Sequence, residues 1–291
     1  MKNPVEGEAK KIKLQKIRLF NKMYNLSNNI QIMGILNLTP DSFYSELETS
    51  LETRLAKLVS SDIIDIGAES SRPGALPISS DEEIKRIEVL LPLLSDNITA
   101  QLSIDTYKPK TAHFALQNGF DIVNDITGGK SLEMLNIVSE YNAKIILMHM
   151  QGTPKTMQNE PVYGDVFDDI ISFFEERCEQ AVKAGISHDK IIIDPGIGFG
   201  KTISDNDKII SNISKLKTLG FPVLIGLSRK SFLQYDDDLP SDRLATTICI
   251  NTLSMLNGVD IIRVHDVEEH IKARALISRI SSQYSGELHG Y

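Results

Sequence analysis

Eight short apolar runs, each closing on polar or charged residues, recur along the chain at intervals of roughly 20 to 45 residues with amphipathic stretches between them. This rhythm constrains the fold more than any single motif. The strand-like runs cover residues 30–37, 62–69, 100–106, 121–126, 143–150, 190–197, 222–228 and 260–266. Helical patterns fill residues 81–94, 108–118, 165–184, 205–219, 241–257 and 267–282. Eight strands with a helix after each is the count of a (β/α)8 TIM barrel, an α/β fold. A doubly wound open sheet is the rival, but it usually has fewer strands and leaves two edges to protect. The barrel is expected to span residues 30–283 as one domain, in keeping with a chain of 291 residues. Residues 1–29 read as a basic extension with a short hairpin around 17–24, and residues 284–291 as a flexible tail.

Charge and cysteine usage narrow the classes of function. The net charge of −8 argues against general nucleic-acid affinity. It is uneven: residues 1–22 carry seven Lys/Arg against Glu6 and Glu8, which leaves −13 for the remainder. A solvated leader accounts for that basic segment better than a nucleic-acid arm. No apolar stretch approaches the roughly 18 residues of a membrane span, and the chain opens without an apolar signal segment. Cys178 and Cys249 match no metal or redox spacing, so reduced thiols and a cytoplasmic setting are expected.

In a barrel of this kind the chemistry sits at the carboxyl ends of the strands. Those ends are unusually polar here. They offer Asn37 and Asp41, then Asp65 and the run Glu69-Ser70-Ser71-Arg72-Pro73-Gly74, then Asp105, Asn124 and Asp125. His149, Asp194, the run Ser228-Arg229-Lys230-Ser231, and Arg263 with His265 complete the series. An Asp or Asn at a strand end often does no more than cap the next helix. The parity of Asp105 and Asn124, however, points both into the barrel mouth, where a carboxylate or amide is costly unless a ligand satisfies it. Two subsites emerge. Asp105, Asn124 and Asp194 are acceptors suited to a heterocycle with adjacent N–H groups. Arg72, Arg263 and His265, with the hydroxyls of Ser70 and Ser71, are donors suited to a phosphate or diphosphate.

Two tempting motifs fail. The run Gly196-Ile197-Gly198-Phe199-Gly200-Lys201-Thr202 lacks P-loop spacing, because the required first glycine is Pro195, and it lacks the dinucleotide-binding spacing as well. Its glycines are expected to allow close backbone approach to a ligand at the rim. His149, within an apolar run, reads as a satisfied core histidine more readily than as a catalytic base.

Together these segments resemble the dihydropteroate synthases, folate-pathway enzymes inhibited by sulfonamides. The resemblance spans residues 16–283 and is carried by Met33 to Phe43, Glu69 to Gly74, Ile104 to Thr106, Asn124 to Ile126, Leu147 to Gly152, Asp194 to Gly196, Gly226 to Ser231 and Arg263 to Asp266. It implies condensation of 6-hydroxymethyl-7,8-dihydropterin diphosphate with 4-aminobenzoate, giving 7,8-dihydropteroate and pyrophosphate. It further implies that Asp105, Asn124, Asp194 and Lys230 hold the pterin, with Met148 and Phe199 lining its pocket. Asn37, Arg263 and His265 would hold the diphosphate, with Mg2+ near Asn37. Ser71, Pro73, Arg229 and Ser231 would border the aminobenzoate, Arg72 would lie on a mobile loop, and the enzyme would be a homodimer. A dissociative mechanism is expected, in which the methylene–oxygen bond breaks before the amine attacks.

The resemblance breaks after Phe43, where Tyr44-Ser45-Glu46-Leu47-Glu48 replaces the usual Ser-Asp-Gly-Gly continuation, and Ser71 stands where threonine is usual. Two other readings are therefore weighed: a non-catalytic pterin-binding paralogue, and a pterin-dependent methyltransferase. The methyltransferase would share Asp105, Asn124 and Asp194 but has no use for the diphosphate donors.

Overall fold

The computed structural model describes residues 30–38, 50–70, 74–94, 98–153, 155–157, 161–234 and 239–286. Eight parallel strands form one sheet: β1 (Gln31–Asn37), β2 (Ile63–Gly67), β3 (Gln101–Asp105), β4 (Ile122–Asp125), β5 (Lys144–Met148), β6 (Ile191–Asp194), β7 (Leu224–Ile225) and β8 (Ile261–Val264). Their order is β6-β5-β4-β3-β2-β1-β8-β7. The ring closes between its two end strands through the Ile193–Val223 bridge, where Ile193 N donates to the Pro222 carbonyl at 3.0 Å. This is the (β/α)8 barrel expected from the strand count.

Around it lie α1 (Leu51–Ala56), α2 (Ser80–Leu90), α3 (Pro109–Gln117), α4 (Leu132–Glu140), α5 (Val166–Lys183), α6 (Ile203–Ser211), α7 (Ile213–Leu216), α8 (Leu244–Leu256) and α9 (Val267–Gly286). Side-chain caps start several of them. Ser79, Ser131 and Asp165 accept backbone N–H bonds at the starts of α2, α4 and α5, and Thr202 with Asp205 forms a capping box for α6.

The isoleucine-rich strands are buried on both faces, as parallel strands under helices must be. Alternate residues go to different cores. Ile32, Ile64, Val123, Ile193 and Ile262 face the helices, while Met33, Ile63, Ile122, Ile146, Ile192, Leu224 and Ile261 meet inside the barrel as an apolar floor. Two residues further along the same faces stand Asp65, Asn124, Met148, Asp194 and Arg263. Period-two geometry therefore stacks a polar layer on an apolar one.

Three departures from the sequence-based expectations have local causes. Strand β7 is only two residues long, because Pro222 has no N–H to give the ladder and the chain turns at Ser228 and Arg229. The helix expected over 205–219 breaks at Asn212, whose side-chain amide donates to the Lys208 carbonyl at 2.8 Å and ends α6. The last helix continues through Gly286, past the expected domain boundary at 283. Asp125, of opposite parity to Asn124, takes the capping role common for strand-end acids, accepting from Thr127 N and Gly129 N at 2.7 and 3.1 Å. The hairpin placed at 17–24 and the altered segment 44–48 lie outside the described residues. Cys178 is buried and Cys249 exposed, both as free thiols. Among the described residues no helix is long and apolar enough to cross a membrane.

Candidate active site

The polar layer is organised around Asp65, which is fully buried. Its carboxylate accepts from Ser103 Oγ at 2.6 Å, from Asn124 Nδ2 at 3.1 Å and from Arg263 Nε at 2.6 Å. Arg263 Nη2 donates in turn to Asp105 Oδ2 at 2.8 Å. Residues from β2, β3, β4 and β8 thus form one network. Asp65 belongs to the site, yet sequence reasoning gave it no role. The available signal was a lone carboxylate inside the otherwise apolar run Ile63-Ile64-Asp65-Ile66, at the same parity as the floor residue Ile63.

Two carboxylates thus share one guanidinium. Burial raises the Asp105 pKa to about 7; Arg263 offsets part of the rise and the charge of Asp65 adds to it. Burial works against the Arg263 charge, but Asp65 and Asp105 hold its pKa above the ordinary value. Across the mouth, Asp194 is buried and accepts from Gly196 N at 2.8 Å. Burial raises its pKa, with Lys230 the main opposing charge. Lys230 donates to the Ile197 carbonyl and lies 4.6 Å from the centroid of Phe199. Burial lowers its pKa to about 8, and Asp194 limits the fall. Met148 pairs in register with Asp194 and is buried beside it. Asp105, Asn124, Asp194, Lys230, Met148 and Phe199 therefore belong to one rim.

The donor side is less uniform than expected. His265 is exposed at the end of β8, where its Nδ1 lies 2.9 Å from Ser228 Oγ and its backbone N donates to the same hydroxyl at 3.2 Å. Ser228 therefore orients the ring. Arg229 adopts a left-handed backbone, φ 58°, and pairs through two nitrogens with Asp266, its Nε donating at 3.0 Å. Its backbone is fixed by Thr247 and Arg243. Ser231 is exposed at the start of a short 3-10 turn. Ser71, Arg72 and Pro73 lie outside the described residues. The chain on either side of them is anchored by Glu69, which accepts from Ile78 N at 2.7 Å, Tyr107 Oη at 2.9 Å and Lys108 Nζ at 2.6 Å.

Asn37, half-buried at the end of β1, faces Asp105 across Gly67. A Cβ on Gly67 would lie 3.5 Å from Asn37 Oδ1 and 3.6 Å from Asp105 Oδ2. Glycine leaves open the ground between the acceptor and donor halves.

A Cβ on Gly196 would fall 2.0 Å from the His149 carbonyl, and one on Gly200 would fall 2.5 Å from the Gln151 carbonyl. At these two positions the backbone that comes close is the segment just past β5. His149 is a satisfied core histidine: it is buried, its Nδ1 lies 3.0 Å from Lys201 Nζ, and burial lowers its pKa to about 3. A ring so reluctant to protonate is no general base near neutral pH.

Comparison with known proteins accords with this geometry. Residues 33–265 match the pterin binding enzyme family. A dihydropteroate synthase of Synechocystis sp. is 39% identical over 255 residues, spanning 84% of this chain and 88% of the relative. The Yersinia pestis dihydropteroate synthase, solved in complex with a sulfonamide drug, superimposes with a TM-score of 0.82 at 36% identity, covering 87% of this chain and 95% of that one. The Xanthomonas albilineans enzyme with 4-aminobenzoic acid gives 0.80 at 33% identity, with coverage of 87% and 93%. With its barrel, its buried carboxylates at the strand ends and relatives that span more than four-fifths of it, the chain belongs to the dihydropteroate synthase family of pterin-binding enzymes.

Proposed function

We propose that the chain condenses 6-hydroxymethyl-7,8-dihydropterin diphosphate with 4-aminobenzoate, releasing pyrophosphate and forming 7,8-dihydropteroate. The observation that carries this reading is the position of Arg263, one guanidinium shared by the acceptor network of Asp65, Asp105 and Asn124 at the base of the donor-lined rim. Acceptors on one side suit the N–H edge of a pterin. Arg263, His265 and Ser228 on the other suit a diphosphate, a group that a methyltransferase substrate lacks.

In this reading Asp105, Asn124, Asp194 and Lys230 orient the ring, and Met148 and Phe199 pack against it. Arg263 and His265 meet the charge that grows on the departing diphosphate, while the carboxylate of Asp105 offsets positive charge left on the pterin methylene. A neutral aromatic amine is already nucleophilic, so the protein's remaining task is to position it. Ser71, Pro73, Arg229 and Ser231 would border that amine, and Arg72 would come from the loop anchored by Glu69. No covalent enzyme intermediate is required.

The residues present fit Mg2+. Asn37 offers a hard amide oxygen in the space left by Gly67, and this ion is commonly held by one or two protein oxygens together with substrate phosphates and water. When bound it would neutralise diphosphate charge. A cytoplasmic setting and a homodimer complete the proposal. The dimer is supported by apolar side chains exposed on the late helices, Leu253 on α8 and Leu276 and Ile280 on α9, and light scattering of the purified chain tests it.

The test of function is pyrophosphate release from purified protein with both substrates and Mg2+. Release that depends on 4-aminobenzoate and collapses in Asp105→Asn and Arg263→Ala supports the assignment. Binding of the pterin diphosphate without release would refute it. Bridging-oxygen isotope scrambling without 4-aminobenzoate tests the dissociative step.

A further inference from the structure

Lys201 is buried, with 4% of its surface exposed, and stands outside the roles assigned above. Its ammonium lies 3.0 Å from His149 Nδ1 and donates to the carbonyls of Gly196, Phe199 and His149 at 2.9, 3.0 and 3.3 Å. No carboxylate is among these partners. A packing role alone would be met by an apolar side chain, which avoids the cost of a buried charge. What the ammonium achieves is a knot. It closes residues 196–200 into a ring and ties the ring to the end of β5.

Four of the five residues of that ring are also held by another hydrogen-bonding group. Asp194 accepts from Gly196 N, and Lys230 donates to the Ile197 carbonyl. Asn206 accepts from Gly198 N at 2.9 Å, and Tyr163 Oη donates to the Gly200 carbonyl at 2.6 Å. Among the described residues, Lys201 is the one that joins the Gly196 and Phe199 carbonyls to His149, just past the end of β5. The ring carries Phe199 and the Ile197 carbonyl, the two groups that contact Lys230.

We propose that Lys201, with His149 as its acceptor, is a positioning residue for the pterin subsite. It fixes the 196–200 loop so that Phe199 and Lys230 form a preorganised wall. The proposal rests on the functional reading above. The low pKa of His149 is consistent with it, since a neutral ring keeps Nδ1 available to accept from the ammonium.

The experiment uses the full chain with Lys201→Met, measuring KM for both substrates and the calorimetric Kd for dihydropterin diphosphate. The expected result is an increase of about tenfold in Kd and KM for the pterin, the scale of a lost hydrogen bond or two, with KM for 4-aminobenzoate unchanged. A merely structural lysine would lower the amount of active enzyme and leave both KM values as they were, and that outcome overturns the proposal. Should Lys201→Met fail to fold, the histidine supplies a second pair. His149→Leu is expected to weaken pterin binding, and His149→Asn, whose side-chain oxygen can replace Nδ1, to restore it; equal affinities in the two would overturn it. Nitrogen NMR of the unliganded wild type should show His149 with its proton on Nε2, and a proton on Nδ1 would remove the link to Lys201. Failure of the wild type to bind the pterin diphosphate would instead strike the functional reading.

Discussion

Replacing Asp65 with asparagine removes the charge on which the polar layer converges while keeping its shape. The carboxylate accepts from Ser103, Asn124 and Arg263, and the amide that replaces it must turn an N–H toward a donor. Removing one partner of a buried ion pair costs about 3–5 kcal/mol, and a hydrogen bond to a charged group is worth roughly 1.5–3 kcal/mol. Arg263 keeps Asp105 and is one-fifth exposed, so the lower end applies: a loss of about 2–3 kcal/mol is expected. Urea unfolding at pH 8 measures it as a lower midpoint with an unchanged slope. A second effect has the opposite flavour. The charge of Asp65 helps raise the Asp105 pKa to about 7, so its removal must lower that pKa. If pterin binding needs an ionised Asp105, the acid limb of affinity against pH will move to lower pH in Asp65→Asn even as affinity at the plateau drops. A stability change below about 1 kcal/mol, or an acid limb that moves upward, would refute the shared-guanidinium account.

Asp105→Asn should abolish the acid limb near pH 7 and weaken pterin diphosphate binding, read by calorimetry across pH 5 to 8. Because the folded-state pKa of Asp105 is raised, the stability it contributes is complete below its ordinary value of 3.8 and is lost as pH rises through about 7. Unliganded wild type should therefore lose stability over that window relative to Asp105→Asn. Lys201 and Lys230 have the reverse sign. Their pKa values fall from 10.5 to about 7 and about 8, so the unfolded chain binds the extra protons and stability should recover from neutral pH toward pH 10. Arg263→Ala strands Asp65 and Asp105 without their cation and should reduce pyrophosphate release at least about a hundredfold, checked by a coupled assay. Gly196→Ala, with φ 65° and a Cβ 2.0 Å from a carbonyl oxygen, should cost about 3 kcal/mol or more, seen as a lowered Tm.

Much of this architecture was legible in the amino-acid sequence because both strand faces are buried. Isoleucine-rich runs such as Ile191-Ile192-Ile193 announce parallel strands whatever surrounds them. Asp105, Asn124 and Asp194 were legible for a related reason, since period-two alternation decides which residues reach the mouth. Asp65 was obscured by its own burial: a single acid flanked by isoleucines gives no hint that three donors from other strands converge on it. The pairing of Arg229 with Asp266 depends on a left-handed turn that no local pattern signals. The glycines at 196 and 200 were understood as permissive backbone, but what presses against them is the segment just past β5, about fifty residues away in sequence.

The short β7 leaves the barrel wall with a seam. Between β6 and β7 the backbone makes a single bridge, whereas β5 and β6 pair over four positions. Asp194 stands on one bank of that seam and Lys230 follows from the other, joined across it by the bond from Lys230 to the Ile197 carbonyl. The two banks are thus joined by one backbone bridge and one side-chain hydrogen bond, not by a continuous ladder. A pterin that spans Asp194 and Lys230 would add a second tie across a junction that the backbone bridges only at Ile193 and Val223, so binding is expected to stiffen this part of an already closed wall.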